Sequence, residues 1–243
     1  MNQKPIWRRS AAIAIIFAVL AWIGPAAAQT KTLYQREFDP PGGKGRPVVL
    51  ISGNSGPNNY AALAVDITAQ GFFTVLVDSN ELWLKDGGGE QLLRDLLKRV
   101  QGSPKAIPGK VGVVGASLGG GVSLAYAARM PDLVAGIVTF YPFTSFIKDV
   151  DKLVLGAKVP TLVLAAGRDT YQNCCLIDMA RNIAAASKKR QPLPLFELVE
   201  YPSADHGFNL AGKTSRADDA ADALKRTVIH LRNAFGDPPP KSS

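Results

Sequence analysis

Cysteine and histidine are nearly absent from this chain, with two of each in 243 residues. Cys174 and Cys175 are adjacent, so no bridge can join distant segments, and a disulfide-stapled fold is excluded. A ring closed between neighbours is strained, so the pair is expected as two reduced thiols at a helix start. On that reading a reducing agent leaves activity unchanged. No metal-ligating cluster, phosphate-cradling loop or dinucleotide fingerprint is evident, so neither a metal nor a cofactor is expected. Long apolar runs are lacking too: residues 11–23, 13 in number, fall short of the roughly 20 needed to span a bilayer. Excess charge is modest, at +8 for the whole chain. The densest basic cluster, Lys188-Lys189-Arg190, closes a helix-like segment, where cations complement the helix C-terminus. No stacking aromatics accompany it, so no nucleic-acid partner is expected.

The N-terminus carries an address. Lys4, Arg8 and Arg9 precede the apolar run, and Ala26-Ala27-Ala28 follows it with the small residues a signal peptidase reads. Residues 1–28 are expected to be a cleavable secretory signal, with Gln29 the mature start and the protein periplasmic or secreted. Cleavage takes three positive charges from the +8, leaving +5. No cysteine lies near the cleavage site, and no stable membrane anchor is expected afterwards. The Arg8-Arg9 pair permits twin-arginine export, but the residues after it fit general secretion better.

The most informative stretch is Gly115-Ala116-Ser117-Leu118-Gly119-Gly120, placed between a strand-like apolar run at 111–114 and a helix-like segment at 122–130. A serine between strand and helix sits on a sharp turn with strained backbone angles, and glycines two residues either side remove the clashes that turn creates. Such an elbow lifts the Ser117 hydroxyl clear of the sheet. A glycine-rich turn also lets strand and helix pack closely without any chemistry, so further partners are needed. Two follow in order. Gly167-Arg168-Asp169 ends the strand-like run 159–166, and Asp205-His206-Gly207-Phe208 lies on a loop beyond the strand-like run 195–200. Asp169 alone reads as a turn former, and Asp205, Asp151 and Asp178 are rival acids with weaker placement. His230 lies in the amphipathic segment 216–235, where a surface or packing role is expected, which leaves His206 as the base candidate. The order Ser117, Asp169, His206 is that of α/β-hydrolases.

Strand-like segments recur at 48–52, 72–77, 111–114, 136–141, 161–166 and 195–200, with helix-like segments at 59–69, 90–100, 122–130, 176–186 and 216–235. This alternation predicts an α/β fold, a mostly parallel sheet flanked by helices on both faces. One domain is expected over 29–236, with a flexible tail at 237–243.

Gly-Ala-Ser-Leu-Gly-Gly, Ala-Gly-Arg-Asp and Ala-Asp-His-Gly-Phe, at these separations, resemble the dienelactone hydrolase family of the α/β-hydrolase fold, over roughly residues 46–235. The resemblance implies Ser117 as nucleophile, Asp169 as acid and His206 as base. Members named for dienelactone hydrolysis carry a cysteine nucleophile and an acidic residue in the loop after the first core strand. Here the nucleophile position is serine, and that loop reads Ser52-Gly53-Asn54-Ser55-Gly56. The implied activity is ester hydrolysis in general.

An oxyanion growing on the attacked carbonyl needs donors in place. One is expected from the backbone N–H of Leu118, and the resemblance points to the N–H of Asn54 for the other. Tyr141, Phe143, Trp83 and Phe208, with Phe146 beside them, are candidates to line an apolar substrate pocket. No large insertion separates Tyr141 from Val159, so any lid is small and small or medium soluble esters or lactones are the expected substrates. The same triad also serves an acyltransferase, and a non-catalytic binding protein can keep this fold. The oligomeric state is not readable from these residues.

Overall fold

Alternation of side chains along the central strands decides the architecture. Along β2 (Pro47–Ile51), Val49 and Ile51 enter one core while Val48 and Leu50 enter another. β4 (Val111–Ala116) repeats the pattern, with Val111 and Val113 opposed to Val114 and Ala116. A strand apolar at every position must be covered on both faces. The structure, a computed structural model, describes residues 1, 33–84, 87–190 and 195–238. The expected signal segment after Met1 and the tail beyond residue 238 lie outside them.

The other strands are β1 (Gln35–Phe38), β3 (Phe73–Val77), β5 (Val134–Phe140), β6 (Thr161–Ala166) and β7 (Phe196–Tyr201). They form a seven-stranded sheet in the order β1-β3-β2-β4-β5-β6-β7, with only β1 antiparallel to its neighbour. The helices are α1 (Ala61–Ala69), α2 (Ser79–Leu82), α3 (Gly89–Gln101), α4 (Leu118–Ala125), α5 (Val150–Gly156), α6 (Ile177–Lys188) and α7 (Ala217–Phe235). One face is covered by residues such as Leu93, Leu96, Leu97 and Val100 of α3, Val122 of α4 and Ile183 of α6. The other is covered by Leu63 and Ile67 of α1 and Val228 and Leu231 of α7. Each such fully buried side chain contributes about 2 kcal/mol of transfer free energy. The described residues from Leu33 onward form one compact unit, and no helix among them is long and apolar enough to cross a membrane.

Three elements escape the sequence pattern. β1, Gln-Arg-Glu-Phe, is an exposed polar edge held to β3 by backbone pairing, with Lys105 bridging Glu37 at 2.9 Å and Asp39 at 2.7 Å. α2 and α5 are short and capped by Asp78 and Asp149, which accept from the Asn80 and Lys152 N–H groups. The C-terminal carbonyls of α5 explain Arg190. Expected to cap its own helix, its guanidinium instead reaches across to the carbonyl oxygens of Val154 at 2.5 Å and Ala157 at 2.8 Å. Asp237, the first residue of the expected tail, is held in place. Gly236 adopts the left-handed φ of 72°, Asp237 N–H bonds the Arg232 carbonyl, and the Asp237 carboxylate grips Arg46 at 2.7 Å.

His230 of α7 packs over Gly136 of β5, its Nε2 3.4 Å from the Pro160 carbonyl oxygen. Burial holds its pKa below the ordinary imidazole value. Above about pH 6.5 the ring is neutral in folded and unfolded chains alike. As pH falls through that value the unfolded chain takes up the proton first, so stability drops until the folded pKa is passed. His230→Gln is therefore expected to lose less stability than the parent between about pH 7 and pH 5 in urea unfolding. Identical acid slopes would show that His230 is not a source of the loss.

Candidate active site

β4 ends at Ala116, and the next residue, Ser117, turns the chain directly into α4 with a φ of 50° and a ψ of −115°. A Cβ on Gly119 would run into the carbonyl oxygens of Ile51 and Ser52, and one on Gly115 into the Gly119 carbonyl and the Ser123 hydroxyl. The elbow therefore exists only because glycines flank it. α4 begins at Leu118, earlier than expected, because close packing overrides the poor helix propensity of Gly119-Gly120-Gly121. The same element ends at Ala125, and a 3-10 turn over Ala127–Arg129 completes the segment.

Parallel strands bring their carboxyl ends to one edge, and Ser117, Asp169 and His206 meet there. Ser117 Oγ lies 3.0 Å from His206 Nε2, and His206 Nδ1 lies 2.7 Å from Asp169 Oδ2. A carboxylate only accepts, so Nδ1 carries the proton and the Nε2 lone pair faces the serine hydroxyl. Asp169 is also the turn former that its sequence suggests. Its Oδ1 accepts the Tyr171 N–H at 3.0 Å, so one oxygen shapes the loop and the other holds the imidazole. The acid and histidine loops are laced together by Gly167 N–H to the Tyr201 carbonyl and Arg168 N–H to the Ala204 carbonyl. The rival acids are elsewhere: Asp205 and Asp151 are exposed, and Asp178 pairs with Arg181.

Two tyrosines grip the imidazole. Tyr171 stacks on it at 4.6 Å with planes 15° apart, and Tyr141 packs at 4.6 Å and 59°. Neither role is legible in the sequence, although Tyr171 stands two residues after Asp169, where a turn-forming aspartate finds its N–H partner. Tyr141 and Phe208, expected to line the substrate pocket, are fully buried instead. Tyr141 takes a φ of 35° and donates its hydroxyl to Asn209 at 2.6 Å, and Phe208 fills the space against Tyr201 at 4.9 Å. Both support the site from beneath, because the loops after β5 and β7 fold inward over the second core. Burial raises the phenol pKa of Tyr141 and of Tyr60, another buried tyrosine beside the Gly53 loop, so both stay protonated near neutral pH.

Phe143 and Trp83 remain half-buried. Phe143 N–H bonds the Ser117 carbonyl at 2.8 Å, and Trp83 meets Phe143 and Phe146 edge-on at 5.4 and 5.2 Å. This apolar cluster stands beside the nucleophile position. Leu118, as first residue of α4, has an N–H with no intrahelical acceptor. Asn54 is exposed in the loop after β2, its carbonyl held by the Asn80 side chain at 3.1 Å. A Cβ on neighbouring Gly53 would lie 3.2 Å from Ser117 Cβ, which shows how closely this loop passes the serine.

Cys174 and Cys175 are joined in a disulfide, against the expectation of two thiols. The loop before them turns through Gln172 and Asn173 at φ of 48° and 53°, and the Cys174 carbonyl accepts from Thr144 N–H and Ser145 N–H. Those long-range restraints set a backbone path that strain arguments from adjacency do not anticipate. A roomy cavity of about 760 Å³, lined by Pro160, Phe196, Glu197 and His230, opens near the amino ends of β6 and β7, away from the triad.

The model of the dienelactone hydrolase family matches residues 53–235, from the Gly53 loop through α7. The chain belongs to the dienelactone hydrolase family. It is an ester-bond hydrolase on the α/β-hydrolase fold. Among curated proteins no match to the sequence was found. Solved structures share the fold at low identity. A protein assigned as a dienelactone hydrolase from Klebsiella pneumoniae superposes with a TM-score of 0.71 at 17% identity, covering 87% of this chain and 95% of that one. Est1E from Butyrivibrio proteoclasticus gives 0.64 at 11%, covering 84% and 94%, and its complex with ferulic acid gives 0.64 at 10%, covering 84% and 96%.

Asp169→Ala would strip an acceptor from both Tyr171 N–H and His206 Nδ1–H. It is expected to lower unfolding free energy by about 2 kcal/mol in urea titration, whereas Ser117→Ala should stay within about 0.5 kcal/mol of the parent. Equal effects would mean that Asp169 does not anchor the acid loop.

Proposed function

We propose that this family member is an exported serine hydrolase that cleaves small or medium carboxylic esters or lactones through an acyl-enzyme on Ser117. The observation that carries this reading is the unbroken chain of hydrogen bonds from Ser117 through His206 to Asp169. His206 Nε2 takes the hydroxyl proton as Oγ attacks the acyl carbon, then returns it to the leaving alkoxide. Asp169 keeps Nδ1 protonated and stabilises the transient imidazolium. The N–H groups of Leu118 and Asn54 receive the oxyanion, each donor lowering the barrier by about 3 kcal/mol. Water activated by the same imidazole then releases the acid.

The half-buried Trp83, Phe143 and Phe146 give the acyl or leaving group an apolar, aromatic surface to lie against. Est1E binds ferulic acid, so esters of aromatic acids belong in a substrate screen beside short aliphatic ones. The N-terminal basic residues, apolar run and Ala26-Ala27-Ala28 support export.

Fluorophosphonate is expected to label Ser117 alone in the mature protein, and not at all in Ser117→Ala, as read by peptide mass spectrometry. Asp169→Asn should keep the labelling site but lower kcat/KM on a nitrophenyl ester by about three to four orders of magnitude. Absence of an adduct where a control serine hydrolase labels fully would overturn the mechanism. N-terminal sequencing of exported protein should begin at Gln29, and an intact N-terminus on exported protein would refute the cleavage.

A further inference from the structure

The disulfide lies against the imidazole of the triad. One ring nitrogen of His206 and the sulfurs of Cys174 and Cys175 all fall within 4.8 Å of one another. Cys174 is half-buried and Cys175 is buried. The Cys174 backbone is pinned by Thr144 N–H at 2.8 Å, Ser145 N–H at 3.1 Å and the Thr144 hydroxyl at 3.3 Å. Two sulfurs and an imidazole nitrogen are the donor set that soft divalent cations select.

We propose that Cys174, Cys175 and His206 form a thiophilic metal site that is closed while the disulfide is intact and opened by a dithiol reductant. A reductant thiolate attacks Cys174 Sγ, breaks the Sγ–Sγ bond and releases the Cys175 thiolate. The second reductant thiol then displaces the Cys174 thiolate and leaves as a disulfide, so two electrons and two protons reach the cysteines. A divalent cation such as Zn²⁺ or Cd²⁺ replaces the two thiol protons and takes the imidazole lone pair as third ligand.

The geometry asks for little movement. Zinc–sulfur and zinc–nitrogen bonds of about 2.3 and 2.1 Å put tetrahedral ligand atoms about 3.7 Å apart. The sulfurs must part, by rotation about their own side-chain bonds, and the nitrogen must close by at most about 1 Å. The pinned Cys174 backbone can stay in place throughout.

Both imidazole nitrogens are already engaged, Nδ1 with Asp169 and Nε2 with Ser117. Capture of Nε2 by a cation takes the lone pair from Ser117, and capture of Nδ1 moves its proton to Nε2 and displaces Asp169, so either breaks a link of the triad. Metal loading of the reduced protein therefore silences the hydrolase, while the disulfide form resists the same cation. The metal site stands on its own geometry, and only the inhibition rests on the serine mechanism.

The test uses Cd²⁺ on the mature protein, either oxidised or reduced with a dithiol and freed of reductant without air. The reduced protein is expected to bind one Cd²⁺ per chain, with sulfur-to-cadmium charge-transfer absorption, and the oxidised protein none. Cys174→Ser/Cys175→Ser should abolish the absorption, and His206→Ala should weaken Cd²⁺ affinity about tenfold or more. Fluorophosphonate labelling of the reduced parent should fall at least tenfold on adding one equivalent of Cd²⁺ and return on chelation. Absence of stoichiometric binding, or equal binding by the oxidised protein or the double serine variant, would overturn the site. Binding with unchanged affinity in His206→Ala would remove histidine from it. If the parent never labels, the serine mechanism fails, while the binding and absorption measurements still decide the metal site.

Discussion

The turn at Ser117 is the constraint on which the site depends. A serine held at φ 50° between β4 and α4 is tolerated only because Gly115 and Gly119 leave room for neighbouring carbonyls. That turn drives α4 against the ends of β2 and β5, which is why the Ser117 carbonyl can accept from Phe143 while the Gly53 loop passes its side chain. The strain is sustained by the fully buried strands on either side.

Economy of another kind governs the acid loop. Asp169 uses one carboxylate oxygen to fold its own turn and the other to hold His206. The turn in turn places Tyr171 flat on the imidazole it serves. Loop structure and site geometry are thus one set of hydrogen bonds, and a change in the loop is felt by the histidine. The disulfide, directly after the single 3-10 turn Tyr171–Asn173, belongs to the same loop and faces the same ring.

The buried aromatics divide by depth. Tyr141 and Phe208 lie beneath the site and fix its floor, whereas Trp83, Phe143 and Phe146 stand beside it with part of their surface free. Sequence patterning does not separate these groups, because all follow strands at the same edge and all are large and apolar. Depth depends on which way each loop folds after leaving its strand.

The amino-acid sequence alone determined the α/β alternation, the strand ends that carry Ser117, Asp169 and His206, and the glycine spacing of the elbow. These are local signals: apolar runs of strand length, and glycine where a turn requires it. Only the tertiary structure decided the polar edge strand β1, which has no apolar pattern and exists by pairing with β3. It also decided that Arg190 caps a neighbouring helix, that Asp237 is held by Arg46, and that Tyr171 and Tyr141 pack on the imidazole. Each of these joins residues distant in the chain, and such contacts are set by the packing of whole elements, which no window of sequence contains.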